Sequence, residues 1–387
     1  MAAGQKAHVN KEVLSWARTQ SGLSLEAAAK KIRVSSERLA SWEAGTDRPT
    51  IVQLRKAARV YQFSFAVFFL PSPPQGYQPI KDFRRFMGVS PEGLSSELTL
   101  EIRRAYDRRE IALELHRELE TSSPTFNLGV DTHERPEAFA QRLRQHLGVT
   151  AQEQGRWRDP SIGFKEWRSR IEGAGVLVFQ ASGIDLEEMR GFSVGDGSLP
   201  IVVVNRSDAY AGRSFTLVHE LTHVALHNEG LCTLDEDGLG SAEVRRIEVF
   251  CNAVAGAALV PASSLLGVGS VLQHGSMRWE PRELDAVART FAVSRQVIIR
   301  RLLDLGCTDQ VNYDRIMREL DAEFRALPPR KAGFLSPPAD FVSQAGRPYA
   351  ALVVAAYREN KLGASELADV LGMRLRHLGA IESALTS

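Results

Sequence analysis

Residues 219–223 read His219-Glu220-Leu221-Thr222-His223, within a stretch from Gly212 to His227 whose apolar pattern predicts a helix. Histidines at this spacing lie on one helix face, one turn apart. Both imidazoles can then reach one zinc ion. The glutamate between them can take a proton from a water at that ion. The same string arises by chance in amphipathic helices, so its surroundings decide what it means.

Upstream, Gly175–Gln180, Met189–Val194 and Pro200–Asn205 are short and rich in β-branched residues, with Gly and Asp between them. They predict strands of a small sheet. Downstream, Ser241–Val260 predicts a second long helix, stopped by Pro261. Zinc used in catalysis needs a third protein ligand and an open position for water. His227 is near in sequence, but on an unbroken helix it is rotated by roughly 80° from His219. Glu248 fits better: it sits near the centre of the next helix, about two dozen residues on, far enough for a loop and an antiparallel return.

The stretch Arg213–His227 resembles the zinc helix of the ImmA/IrrE family of metallopeptidases. Glu248–Pro261 resembles that family's second signature, with Asn252 and Pro261 also matching. Cys251, Val254 and Val260 depart from its Ala, Phe and Met. The resemblance covers roughly residues 160–310. It implies a gluzincin-like site, with His219, His223 and Glu248 as metal ligands and Glu220 as general base and proton shuttle. Zn2+ is the implied cofactor, and Mn2+ fits the same ligands. Asn252 and His227 would orient a ligand or meet the substrate. The run Pro200–Asn205 would lie at the cleft rim and bind a peptide by strand addition. The family's pattern is limited cleavage of a repressor.

The first 70 residues predict helices throughout. Asn10–Gln20 ends at Ser21-Gly22, Ser24 caps Leu25–Ile32, and Ser35 caps a helix that stops at Gly45. Thr50 starts a fourth helix reaching Tyr61, and the apolar cluster Phe63–Leu70 ends at Pro71. Ala29, Ile32, Val34-Ser35, Leu39, Ser41-Trp42-Glu43, Gly45 and Pro49 resemble the helix-turn-helix domain of the XRE or Cro/C1 repressor type. The resemblance implies a recognition helix Ser36–Ala44, with Ser36, Glu37, Arg38 and Ser41 nearest a DNA groove. Residues 1–70 hold eleven Lys/Arg against five Asp/Glu, which suits phosphate contact. The same module can instead dock or dimerise. Its spacing recurs at Ala288, Phe291, Val293, Ser294 and Ile298, and again at Ala368, Leu371, Met373, Arg374 and Leu378. Both recurrences read as packing elements in preference to further DNA readers.

The fold class expected is α+β and mostly helical. An all-α helix-turn-helix domain (1–72) and a helical linker (73–158) precede a zincin-like domain with a small sheet (159–265). A helical continuation (266–327) and a carboxy-terminal helical region (328–387) follow. The 387 residues carry a net charge of +1, so any electrostatic steering is local. Three scattered cysteines argue against a disulfide framework. No opening stretch reads as a signal peptide and no apolar run reaches a membrane span, so the expected location is the cytoplasm. The function expected is a regulatory zinc endopeptidase with a head that docks or binds double-stranded DNA. It would cut a repressor or antitoxin partner in a stress-response or phage-related circuit, and a homodimer is compatible with such a head. The alternatives are a non-proteolytic regulator or antitoxin with a metal site, and a peptidase toxin of a toxin–antitoxin or phage-defence system.

Overall fold

Four small polar side chains set the helix starts of the amino-terminal region. The computed structural model describes residues 6–63, 65–74, 94–195, 198–227, 230–232, 242–326 and 335–386. In it Asn10, Ser24, Ser35 and Thr50 each accept a hydrogen bond from a first-turn N–H. Those donors would otherwise lack partners. The helices they open are α1 (Lys11–Gln20), α2 (Leu25–Ile32), α3 (Ser36–Ala44) and α4 (Ile51–Tyr61). Arg33 and Gly45 close α2 and α3 in the left-handed region, at φ 67° and 78°. Leu14, Ala17, Ala28, Ile32, Leu39, Trp42 and Leu54 fill their shared core, and Phe68 joins it. The chain forms two compact units, Met1–Asp107 and Arg108–Ser387, and the division falls within α5 (Ser96–Glu118).

The second unit begins with α6 (Pro136–His146), α7 (Ala151–Trp157) and α8 (Pro160–Gly173). The described strands are β1 (Leu177–Ala181), β2 (Gly191–Val194), β3 (Ile201–Asn205) and β4 (Gly230–Cys232), in the order β1-β3-β2-β4. β3 runs parallel to β1 and antiparallel to β2, and β2 is antiparallel to β4. Every residue of β1, β2 and β3 is buried. Their near-continuous apolar runs follow from cover on both faces, where alternation is not required. Between β3 and β4 in sequence comes α9 (Tyr210–Ala225), which packs on β2, β3 and α8. α10 (Ala242–Leu259) packs on α9 and α6.

The last carbonyls of α10 receive donors from three other elements. Arg144 donates to Ala258 O at 2.7 Å, Gln154 to Leu259 O at 2.7 Å and Arg301 to Val260 O at 3.1 Å. A helix end inside a core needs such donors. The connection continues through α11 (Ala262–Leu266), α12 (Gly269–Leu272), α13 (Pro281–Phe291), α14 (Arg295–Asp304) and α15 (Gln310–Ala326). One apolar core joins Phe139, Trp167, Val202, Leu217, Leu221, Val254, Ile298 and Leu320.

The carboxy-terminal helices are α16 (Pro337–Ala345), α17 (Arg347–Arg358), α18 (Ala364–Leu371) and α19 (Leu378–Thr386). They close the outer edge of β1. Arg168 donates to Val178 O at 2.6 Å and to Ser343 O at 2.7 Å, and the Gln180 amide also reaches Ser343 O at 2.7 Å. Tyr349 meets Phe179 edge-on, with ring centroids 5.6 Å apart. No helix among the described residues is long and apolar enough to cross a membrane.

Candidate metal centre

α9 carries its polar residues into the core. His219, Glu220, Thr222 and His223 are each no more than 1% exposed. Thr222 is satisfied locally, its hydroxyl donating to Val218 O at 2.9 Å. The two histidines instead face α10. His219 Nε2 and His223 Nε2 are 3.1 Å apart. Glu248 Oε2 lies 3.2 Å from His219 Nε2, and Glu248 Oε1 lies 3.0 Å from His223 Nε2. Zinc bonds of about 2.0–2.2 Å in tetrahedral array put neighbouring ligand atoms about 3.3 Å apart. The observed triangle therefore suits one small cation, and it is the only such His/Cys/Asp/Glu grouping among the described residues.

Asn252 stands one turn after Glu248 on α10, and its Oδ1 is 2.9 Å from His219 Nδ1. An amide oxygen can only accept, so Nδ1 carries the proton and Nε2 offers its lone pair to the triangle. That is the tautomer a metal ligand needs. Glu248 is ready in the same sense. Burial raises its carboxyl pKa, but the close approach and charge of both histidines bring it down to about 2. Burial holds His223 below its ordinary value. Burial acts the same way on His219, yet the Glu248 hydrogen bond and the charges of Glu220 and Glu248 leave it raised. A proton and a cation thus compete for one pocket.

Glu220 points elsewhere. Burial, with the Glu248 charge added, pushes its carboxyl up to about 8, against the opposing pull of His219. Neither of its oxygens has a hydrogen-bond partner among the described residues, and the same holds for Glu248 Oε1 and His223 Nδ1. The 3.0 Å approach of His223 Nε2 to Glu248 Oε1 lacks hydrogen-bond geometry. An unmade hydrogen bond on a buried polar group costs about 1–3 kcal/mol, more for a charge. Orphaned acceptors around converging imidazoles fit a site that takes a cation and a water.

Four residues singled out on α3 share its solvent side: Glu37 and Arg38 are exposed, and Ser36 and Ser41 half-buried. Arg38 stands 3.9 Å from Asp47, which also pairs with Lys6. Arg18 grips both Glu43 oxygens, at 2.8 and 3.0 Å, and ties α1 to α3.

Residues 172–303 match a peptidase-family model described as the IrrE N-terminal-like domain, and residues 14–68 match a model described as Helix-turn-helix. The chain joins a helix-turn-helix domain to an IrrE-like peptidase domain. Comparison with the curated proteins and with the solved structures gave no match.

Within the IrrE-like domain, sequence reasoning missed how β2 meets Glu220. A Cβ on Gly191 would sit 2.8 Å from Val203 O and 3.3 Å from Glu220 Cγ, and would collide with the Thr216 methyl. Only glycine allows this approach. Ser193, two residues on, is buried and close enough to lower the Glu220 pKa, though without hydrogen-bond geometry. A serine in a short apolar run was the only signal, and no spacing rule links it to residue 220.

The expectation for Pro200–Asn205 is corrected. β3 is a central strand, paired with β1 on one side and β2 on the other, so it has no edge for an incoming peptide. β2 folds back antiparallel on it and takes the position that a substrate was expected to use. His227 lies beyond the end of α9, exposed and left-handed at φ 53°, outside the His219–His223–Glu248 triangle. Cys251 and Cys307 are not in disulfides and lie outside that triangle, and the Cys232 side chain falls outside the described residues.

The recurrence at 288–298 is a true tight turn: Ala292 is left-handed at φ 55° and Ser294 caps α14. Its polar residues are occupied, however. Arg295 bonds Glu323 at 2.6 Å, Gln296 reaches Asp321 at 3.3 Å, and Arg301 is buried. With α10 and α15 packed against it, α14 serves the core.

Proposed function

We propose that the chain is a regulatory zinc endopeptidase of gluzincin-like type. His219, His223 and Glu248 hold the metal, Glu220 is the general base, and the protein substrate is a repressor or antitoxin partner. The observation that carries this reading is the ligand-atom triangle of 3.0–3.2 Å edges beside the buried Glu220 carboxyl group, which has no hydrogen-bond partner among the described residues. Bound zinc would act there as a Lewis acid on the scissile carbonyl and would acidify water. The Glu220 carboxylate accepts the proton of the attacking water and returns it to the leaving amine. Asn252 keeps His219 in the tautomer that presents Nε2. Residues 159–265 carry this chemistry. Residues 1–72 form the head, which binds duplex DNA through the face of Ser36, Glu37, Arg38 and Ser41.

A non-enzymatic regulator with a structural metal is the competing reading. Structural zinc sites ordinarily have four protein ligands and need no adjacent base. The test is co-expression of the chain, and of Glu220→Gln, with the products of its neighbouring genes. The wild type should yield one discrete cleaved partner and Glu220→Gln none, with equal zinc in both by elemental analysis. A Glu220→Gln chain that still cuts would sink the base assignment. Manganese in place of zinc in the purified chain would change the ion and keep the ligands.

A further inference from the structure

The helix-turn-helix of the amino-terminal region has a counterpart at 350–383, in register with 11–44 and without insertion or deletion. α2 and α18 are both eight residues long. In this register Leu14 falls on Val353, Ala17 on Ala356, Ala28 on Leu367, Ile32 on Leu371 and Trp42 on Ile381. Both members of each pair are buried. The residue closing the first helix is left-handed in each copy, Arg33 at φ 67° and Gly372 at φ 64°. Glu43 falls on Glu382, and each pairs with an arginine of the helix that precedes its turn, Glu43 with Arg18 at 2.8 Å and Glu382 with Arg358 at 2.9 Å, the second arginine standing one position further along than the register gives. Chance spacing in helical sequence accounts for apolar periodicity. It does not account for the equal lengths of α2 and α18 at matching positions or for the matched left-handed stop.

The two copies differ at the surface. Where α3 begins with Ser36, Glu37 and Arg38, the carboxy-terminal copy has Leu375, Arg376 and His377, a 3-10 turn leading into α19. Arg374 and Arg376 are exposed, and neither has an acidic partner among the described residues; Arg376 Nε is 3.4 Å from His377 Nε2. No acidic residue occurs between Gly372 and Ile381. Gly379, Ala380 and Ser383 are exposed on the same helix, and nothing lies within 4 Å of where a Gly379 Cβ would be. α14 is the control within the chain: it has the same turn, but Glu323, Asp285 and Asp321 occupy its polar residues. Only the carboxy-terminal recurrence leaves its basic residues open beside small ones that let a duplex approach.

We propose that Arg374, Arg376 and the exposed side of α19 form a second contact surface for double-stranded DNA. The arginines meet phosphates and the small residues face the groove, as this motif docks in general. The proposal stands apart from the peptidase reading.

The test uses the full chain and a labelled duplex of mixed sequence, about 30 base pairs long, titrated by fluorescence anisotropy across a sodium chloride series. Arg374→Glu with Arg376→Glu should weaken binding at low salt by about tenfold or more and flatten the plot of log K against log salt by about two. Arg374→Lys with Arg376→Lys should keep both near wild type, since phosphate contact needs charge. Arg38→Glu reports the amino-terminal head separately. Wild-type affinity and slope in the double glutamate chain would overturn the proposal, as would loss of binding confined to Arg38→Glu. A glutamate pair that lost only self-association by sedimentation would also overturn it, in favour of docking between copies. Should that pair melt early by circular dichroism, Arg374→Gln with Arg376→Gln carries the same comparison, and an unchanged slope there overturns the proposal.

Discussion

α9 and α3 each present polar residues at helical spacing, but they do so in opposite surroundings. On α9, His219, Glu220 and His223 are sealed from solvent and held by α10 and β2. On α3 only Leu39 and Trp42 are buried, and Glu37 and Arg38 face outward. Burying unpaired polar groups is costly, so a buried constellation needs a compensating partner, and its distances show which kind. An exposed one costs almost nothing to keep. Its geometry is set only when a partner arrives, so substitutions at the two helices should differ in size and in kind.

The largest effect is expected from His223→Ala, which removes one corner of the triangle. Elemental analysis should find zinc lost from the purified chain, and cleavage of a partner should fall to background; full zinc occupancy would move the ligand set elsewhere. Glu220→Gln comes next. It should cut the cleavage rate by about 10²–10⁴, in the range of general acid–base contributions, with zinc unchanged. Asn252→Ala should weaken zinc affinity by about 10–100-fold in a chelator competition, because His219 loses its orienting acceptor. An affinity equal to wild type would reduce Asn252 to packing. Gly191→Ala should destabilise the second unit by about 1–3 kcal/mol in a thermal melt, through overpacking against Thr216 and Glu220. Arg38→Ala should leave the melt alone and shift duplex binding least, flattening the salt slope by about one. A large stability loss from Arg38→Ala would erase the contrast between the two helices.

Much of this contrast is legible in the sequence. The string at 219–223 and the glutamate at 248 lie on helices that end within two residues of their expected limits. The amino-terminal caps at Asn10, Ser24, Ser35 and Thr50 fell where small polar residues precede apolar periodicity. Local signals of this kind act within a few residues and can be read one segment at a time. What sequence could not yield was strand order. Pro200–Asn205 has the composition of a buried strand, but whether it lies at an edge depends on β1 and β2 pairing with it from both sides. The approach of Gly191 to Glu220 is likewise a contact between segments that no periodicity connects. The acidic residues of α15 that occupy α14 follow the turn in sequence, yet only packing shows that they reach it.

The hydrogen bonds that hold Ser343 to Arg168 and Gln180 have a consequence for shortened forms of the chain. An uncovered strand edge is a template on which another chain can grow a sheet. A version trimmed before α16 would therefore lose more than a remote helical appendage. It would present β1 as a sticky seam, and its failure in solution would say nothing about whether the catalytic region can act without its carboxy-terminal neighbour.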